Sequence, residues 1–200
     1  MVILGLTGSI GMGKTTAAGM FRYLGVPVYD LDAAVHTLLG PGGEAVAAVR
    51  NAFPDAVIHG AVDRKLLGEK VFGDPDSLKN LESILHPLVR QVRGTFIKQA
   101  AARREHIVVL DFPLLYETDG AKVCDAVIVV SAPRFLQEAR VLARDGMTRA
   151  KFTGVLARQL PDYEKRRRAD FIVPTGLGRA LTLRRLKQII RLIKSGHNAP

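Results

Sequence analysis

The chain has 200 residues, 48% hydrophobic and 24% charged, with a formal net charge of +10 from 29 Lys+Arg against 19 Asp+Glu. That suits one compact domain with at most a small insert, and it excludes a low-complexity or disordered chain. A single cysteine, Cys124, leaves no partner for an intrachain disulfide and points to a reducing compartment, the cytoplasm.

Val2 to Thr7 is an apolar run ending at glycine, and no basic residue precedes it. It reads as a buried first strand rather than a secretory leader. The eight residues that follow, Gly8-Ser9-Ile10-Gly11-Met12-Gly13-Lys14-Thr15, match G-x-x-x-x-G-K-[ST] in full. A helix is expected from about Lys14 to Leu24, with Gly25 where a helix stop belongs. Strand, glycine-rich turn and helix are the context this motif needs. The glycines let successive N–H groups turn inward around phosphate oxygens at a helix N-terminus, where the dipole favours anions. Lys14 adds positive charge toward the β- and γ-phosphates, and the Thr15 hydroxyl is a Mg²⁺ ligand candidate, with Thr16 beside the α-phosphate. Gly8, Gly11, Met12 and Gly13 complete the ATP-binding set through their backbone. A chain with this loop is a GTPase, a motor or a kinase. No Asn-Lys-x-Asp guanine reader and no Asp-x-x-Gly switch occurs, and 200 residues are few for a motor module.

Pro27 to Tyr29 reads as a second strand running into Asp30-Leu31-Asp32. Side chains alternate along a strand, so the two aspartates share a face beyond its carboxyl end, where open parallel sheets bind ligands. Two roles for Asp32 stand open: general base for an acceptor hydroxyl, or cap of a helix starting at Ala33. Asp30 is then a water-mediated Mg²⁺ holder or an orienter of Asp32. The mostly helical stretch from 33 to 105 exceeds a simple crossover and is read as an acceptor-binding insert, with a helix over Ser77 to Arg103 broken at Pro87.

Ile107 to Asp111 is the third strand and Ala126 to Val130 the fourth, with Phe171 to Val173 the fifth. Asp111 at its strand end fits an outer-shell Mg²⁺ role or a turn before Pro113. Cys124 reads as buried filler. Helical patterns cover Arg134 to Arg144 and Arg149 to Leu160. Gln137, Arg140 and Arg144 share one helical face, which is either a lid over the triphosphate or a solvated basic face. Arg166-Arg167-Arg168 is read as a solvated run. The last helix, Arg179 to Lys194, aligns Leu183, Leu186, Ile190 and Ile193 on one side. The resulting fold class is α/β: a P-loop NTPase-type parallel sheet of about five strands flanked by helices. Residues 1–32 and 106–200 form the nucleotide core, with a lid at about 140–165. No apolar run approaches the roughly 20 residues of a membrane span. No finger, RNP-type motif or aromatic basic stripe points to nucleic acid, and two polyanionic small substrates account for the basic charge.

The ordered set of elements resembles the dephospho-CoA kinase family. Leu6 to Thr15 resembles its opening, and Val28-Tyr29-Asp30-Leu31-Asp32 follows as it does there. Asp63-Arg64-Lys65-Leu66-Leu67 with Val71-Phe72, Leu85-His86-Pro87-Leu88, and Pro113-Leu114-Leu115-Tyr116-Glu117 are similar to its central segments. Gln137 through Arg140 to Arg144-Asp145-Gly146 resembles its lid helix. The resemblance spans Val2 to about Leu186. It implies transfer of the ATP γ-phosphate to the ribose 3′-hydroxyl of dephospho-CoA, Mg²⁺ as cofactor, and a monomer or weak homo-oligomer. It also implies Asp32 as base and Arg140 as lid arginine, with Arg144 on ATP and Thr7, Arg64, His86, Leu114, Leu115 and Glu117 around the acceptor. Ser9 and Met12 depart from the family's usual Gly and Ser. Pro174-Thr175-Gly176 stands where the family often has Asn before Gly, which puts a side-chain contact to adenine there in doubt.

Overall fold

The computed structural model describes residues 1–196. In chain order they form β1 (Val2–Thr7), α1 (Lys14–Tyr23), β2 (Val28–Asp30), α2 (Leu31–Leu39), α3 (Val46–Ala52), β3 (Val57–Ile58), β4 (Ala61–Val62), α4 (Arg64–Val71) and α5 (Pro75–Ala102). Then come β5 (Ile107–Asp111), β6 (Ala126–Ser131), α6 (Arg134–Leu142), α7 (Arg149–Ala157), α8 (Asp162–Arg167), β7 (Phe171–Pro174) and α9 (Arg179–Lys194). They divide into two compact units, one made of Met1–Tyr29 with the chain from Ala100 onward, the other of Asp30–Gln99.

The first unit is built on a five-stranded sheet in the order β2-β5-β1-β6-β7. β1 runs parallel to β5 and β6, and β6 parallel to β7. Every residue of β5 is buried, as are the middle four of β6. Their unbroken Val/Ile/Leu runs follow from being covered on both faces. One face packs Leu4, Leu6, Ile128 and Val130 against Phe21 of α1 and Leu186, Ile189 and Ile190 of α9. Each such side chain contributes about 1.5–3 kcal/mol by leaving water. The other face holds a smaller cluster of Leu115, Val127 and Val129. Carboxylates bind the strands' opening N–H groups: Asp125 Oδ2 accepts from Ile3 N at 2.7 Å, and Asp170 Oδ2 from Val127 N at 2.7 Å. The opposite, carboxyl ends of the strands are therefore the ones left for a site.

The second unit is helical apart from the β3–β4 hairpin, turned at His59 and Gly60 with φ of 49° and 79°. Positive φ at both central residues is the type I′ arrangement that matches strand twist. Its core joins Leu38, Leu39, Val49, Phe53, Leu67 and Leu81.

Two expectations are corrected. Pro87 does not break its helix: α5 is one helix of 28 residues with Pro87 inside. A proline removes one rung of the ladder. The apolar contacts of Leu85, Leu88, Val89 and Val92 with the unit's core lie on both sides of that gap and hold the two halves in line. Nor does Asp32 continue a strand. β2 stops at Asp30, and Asp32 stands in the first turn of α2. The cap is Asp30, whose carboxylate accepts from Ala33 N at 3.0 Å.

Candidate functional site

The turn from Gly8 to Thr15 joins β1 to α1. Gly11 and Gly13 take φ of 77° and 87°, a region that costs any residue with a Cβ. Space is as decisive as conformation. A Cβ on Gly11 would lie 2.6 Å from Val141 Cγ2 and 2.9 Å from the Gln137 carbonyl, and one on Gly13 would lie 3.1 Å from Thr175 Oγ1. Helix α6 and the turn after β7 thus lie directly on the loop backbone. Gly13 sets the start of α1, whose opening N–H groups and positive dipole end face the loop. Thr15 and Thr16 are exposed on that first turn.

Lys14 Nζ forms an ion pair with Asp111 Oδ1 at 2.5 Å. The register of β1 and β5, which pairs Leu6 with Asp111, brings the carboxylate there. Asp111 is 2% exposed, and a carboxylate that deeply buried needs partners such as this cation.

Side chains hold three successive carbonyls of the loop. Gln137 Nε2 donates to Ile10 O at 2.8 Å, Arg140 Nη1 to Gly11 O at 3.4 Å, and Thr175 Oγ1 to Met12 O at 2.7 Å. Arg140 also donates to Thr175 Oγ1 at 3.2 Å and to Thr175 O at 2.7 Å. Gln159 Oε1 accepts from Ile10 N at 3.0 Å. Met12 is anchored as well: its buried Sδ accepts from Ala132 N at 3.1 Å. Arg140, expected over the triphosphate, here holds the Gly11 carbonyl and Thr175. Arg144 is exposed in the turn beyond α6.

The segment after β5 carries the next group of expected residues. Thr7, fully buried, donates through Oγ1 to Pro113 O at 3.3 Å. Leu114 is exposed, whereas Leu115 is buried in the core beside Val127 and Val129. Glu117 accepts from Leu160 N and pairs with Lys165 Nζ, each at 2.8 Å, and the Lys165 side chain is wholly buried. Burial pushes the Glu117 carboxyl up, but the hydrogen bonds from Lys165 and Leu160 outweigh it and hold it below the ordinary 4.5. The neighbouring Tyr116 hydroxyl is pushed up to about 12, first by burial and then by the Asp170 charge.

The remaining expected residues belong to the second unit. Asp32 is exposed in the first turn of α2, and His86 is exposed midway along α5. Arg64 Nη1 meets His36 Nδ1 at 3.4 Å. His36 is four residues beyond Asp32 and so on the same face of α2. That spacing was the available signal for a residue sequence reading passed over.

Thr175, Gln159 and Lys165 were also missed as contributors. Thr175 had drawn notice only as a departure from a family pattern. Gln159 sits in no local motif, and Lys165 stands just before the run Arg166-Arg167-Arg168, read as solvated. Two clefts open on the first unit. One of about 670 Å³ is walled by Ser9, Arg134, Gln159, Leu160 and Tyr163, the other of about 590 Å³ by Thr15, Thr16, Met20, Tyr23, Arg179 and Leu183. Among the described residues no helix is long and apolar enough to cross a membrane.

The chain is similar to known proteins along nearly its whole length. The sequence model of the dephospho-CoA kinase family matches residues 2–177. The dephospho-CoA kinase of Paramagnetospirillum magneticum is 58% identical over 199 residues, spanning 100% of this chain and 94% of that protein. The crystal structure of TT1252 from Thermus thermophilus aligns with a TM-score of 0.84 at 34% identity, covering 95% of this chain and 96% of that one. The dephospho-CoA kinase from Campylobacter jejuni, 24% identical over 96% of both chains, shares the fold with a TM-score of 0.64.

Proposed function

The chain belongs to the dephospho-CoA kinase family, and from that premise we propose that it transfers the γ-phosphate of ATP to the 3′-hydroxyl of the dephospho-CoA ribose, giving CoA in the cytoplasm. The observation that carries the phosphoryl half is the loop itself: left-handed glycines at 11 and 13, the start of α1, and a lysine whose position a buried aspartate fixes.

In this reading the loop and the first turn of α1 bind the triphosphate, and Lys14 moves part of its charge from Asp111 onto the β- and γ-oxygens. Arg140 supplies charge as the transfer proceeds, with Arg144 on the same nucleotide. Asp32 accepts the proton of the acceptor hydroxyl. Exposure at the start of a helix leaves its carboxylate open to a ligand, which suits a base. The unit from Asp30 to Gln99 holds the acceptor, with Arg64 and His86 toward its phosphates. Leu114 lines the acceptor's approach, while Thr7, through its bond to Pro113 O, and Leu115 and Glu117 support that segment from beneath.

The donor set also fits Mg²⁺. Thr15 and Asp111 offer hard oxygens, with Asp30 as an outer holder through water, and the described residues contain no group of three His, Cys, Asp or Glu that would cage a metal alone. An ion held there would neutralise charge on the transferred group.

The test is an acceptor panel of dephospho-CoA, nucleosides, nucleotides and shikimate, with ATP and Mg²⁺, scored by the position of the new phosphate. Phosphate on the 3′-oxygen of dephospho-CoA, with the other acceptors at background, is expected. A preference for any other acceptor would overturn the assignment.

A further inference from the structure

The side chains around the phosphate loop do more than pack against it; they select which of its N–H groups can meet a phosphate. The peptide is planar and trans, so a C=O and the N–H of the next residue point in opposite directions. Gln137 draws Ile10 O outward, which turns the Gly11 N–H inward, and Thr175 draws Met12 O outward, which does the same for the Gly13 N–H. Two other amides are removed from the cradle. The Ile10 N–H is spent on Gln159 Oε1, and the Met12 N–H, which the weaker 3.4 Å bond of Arg140 to Gly11 O would otherwise turn the same way, donates to Ser9 O at 3.1 Å. The amides directed at an anion are therefore those of Gly11, Gly13 and the opening turn of α1.

Ile10 is the residue held from both sides. Its carbonyl is taken by Gln137 of α6, which is 2% exposed, and its N–H by Gln159, two residues past the end of α7. Gln159 lies in the expected lid at about 140–165, and Gln137 on the helix that resembles the family's lid helix. A buried amide 2% exposed is costly unless its bonds are made, and a backbone contact on each side of one residue fixes its orientation where a single contact would leave a swivel.

We propose that Gln137 and Gln159 are positioning residues for phosphoryl transfer: together they set the orientation of Ile10, and through it the direction of the amides that receive the triphosphate. This rests on the reading of the loop as an ATP site given above, and not on the identity of the acceptor.

The donor and acceptor senses differ, and that makes the proposal testable by one change made twice. Gln→Glu keeps an acceptor and loses a donor. Gln159→Glu still accepts from Ile10 N–H, whereas Gln137→Glu places a carboxylate against the Ile10 carbonyl. Both add the same charge beside the same residue, so the difference between them isolates the hydrogen bond.

ATP·Mg affinity is measured by calorimetry on Gln137→Leu, Gln159→Leu, the double variant and the two Glu variants, together with KM for each substrate and the melting temperature without nucleotide. The expected result is a loss of about tenfold in ATP affinity for each Leu variant. The double variant should fall well short of the product of the two, since both act on one residue. The acceptor KM should be unmoved, and Gln159→Glu should bind ATP more tightly than Gln137→Glu. Unchanged ATP affinity with only a lower melting temperature would overturn the proposal, as would equal affinities for the two Glu variants. If the Leu variants do not fold, the Glu pair decides. A chain that binds ATP but leaves dephospho-CoA untouched would fail the acceptor assignment alone, because the affinity comparison does not involve the acceptor.

Discussion

The two units are held together in different ways. In the nucleotide unit the polar contacts link distant parts of the chain: Lys14 to Asp111 across 97 positions, Arg140 to Thr175 across 35, and Lys165 to Glu117 with the lysine fully buried. In the unit from 30 to 99 they are mostly local. Asp63 caps α4 through Lys65 N and Leu66 N, Asp74 binds Ser77, and Lys70 pairs with Asp55 at the surface. There the fold is carried by the apolar cluster around Leu38, Val49, Phe53 and Leu81. Charge has to be fixed within tenths of an ångström where a phosphoryl group is handled, and long-range polar pairs do that. The unit proposed to receive the acceptor needs only a stable platform.

The sharpest break in that contrast is expected at Asp32, the proposed base, in the unit otherwise defined by packing. Asp32→Asn should retain ATP binding and lower kcat by about 10²–10⁴-fold, the usual contribution of a general base; single-turnover kinetics with dephospho-CoA checks it, and unchanged turnover would remove the assignment. Lys165→Met leaves Glu117 partly buried without its cation and should destabilise the nucleotide unit by about 3–5 kcal/mol, read by denaturant unfolding. Leu81→Ala, at 8% exposure, should cost about 2–5 kcal/mol from the cavity it opens, while ATP affinity stays at its original value. If ATP affinity falls as well, the two units are not energetically separate. The cap variant Asp63→Ala should cost about 1 kcal/mol.

The remaining effects are in pH. Glu117 titrates below its ordinary 4.5 in the folded protein, so its contribution to stability is present above that value and is lost as pH falls through the folded value. Glu117→Gln should flatten this part of the acid limb. Tyr116 moves the opposite way: its folded value is raised to about 12 from 10.0, so stability declines as pH climbs between the two, and Tyr116→Phe should remove that decline.

Local sequence carried the sheet and the phosphate loop because both depend on neighbours in the chain. Val2 to Thr7, Ile107 to Asp111 and the start of α1 could be placed from apolar runs and glycine spacing alone. Thr175 and Gln159 could not. Their partners are Met12 and Ile10, more than a hundred residues away, and no periodicity encodes which hydroxyl or amide a fold will bring to a carbonyl. Pro87 shows the same limit from the other side. Its local preference is to end a helix, and tertiary packing on either side of it prevails. Asp30 and Asp32 were read as one strand face, yet the chain turns into α2 between them, a turn fixed by the bond of Asp30 to Ala33 N.

One feature of the chain path bears on mechanics. The segment from 30 to 99 leaves the nucleotide unit once and returns to it once, and the strands flanking both crossings are bonded within one sheet, Val109 N donating to Pro27 O at 2.8 Å. Tension applied between Val2 and Ser195 is therefore borne by the sheet and bypasses those seventy or so residues until the strands part. An optical-trap trace should show the sheet rupture first and the shielded helices extend only afterwards, so that this unit feels no load while its host is intact.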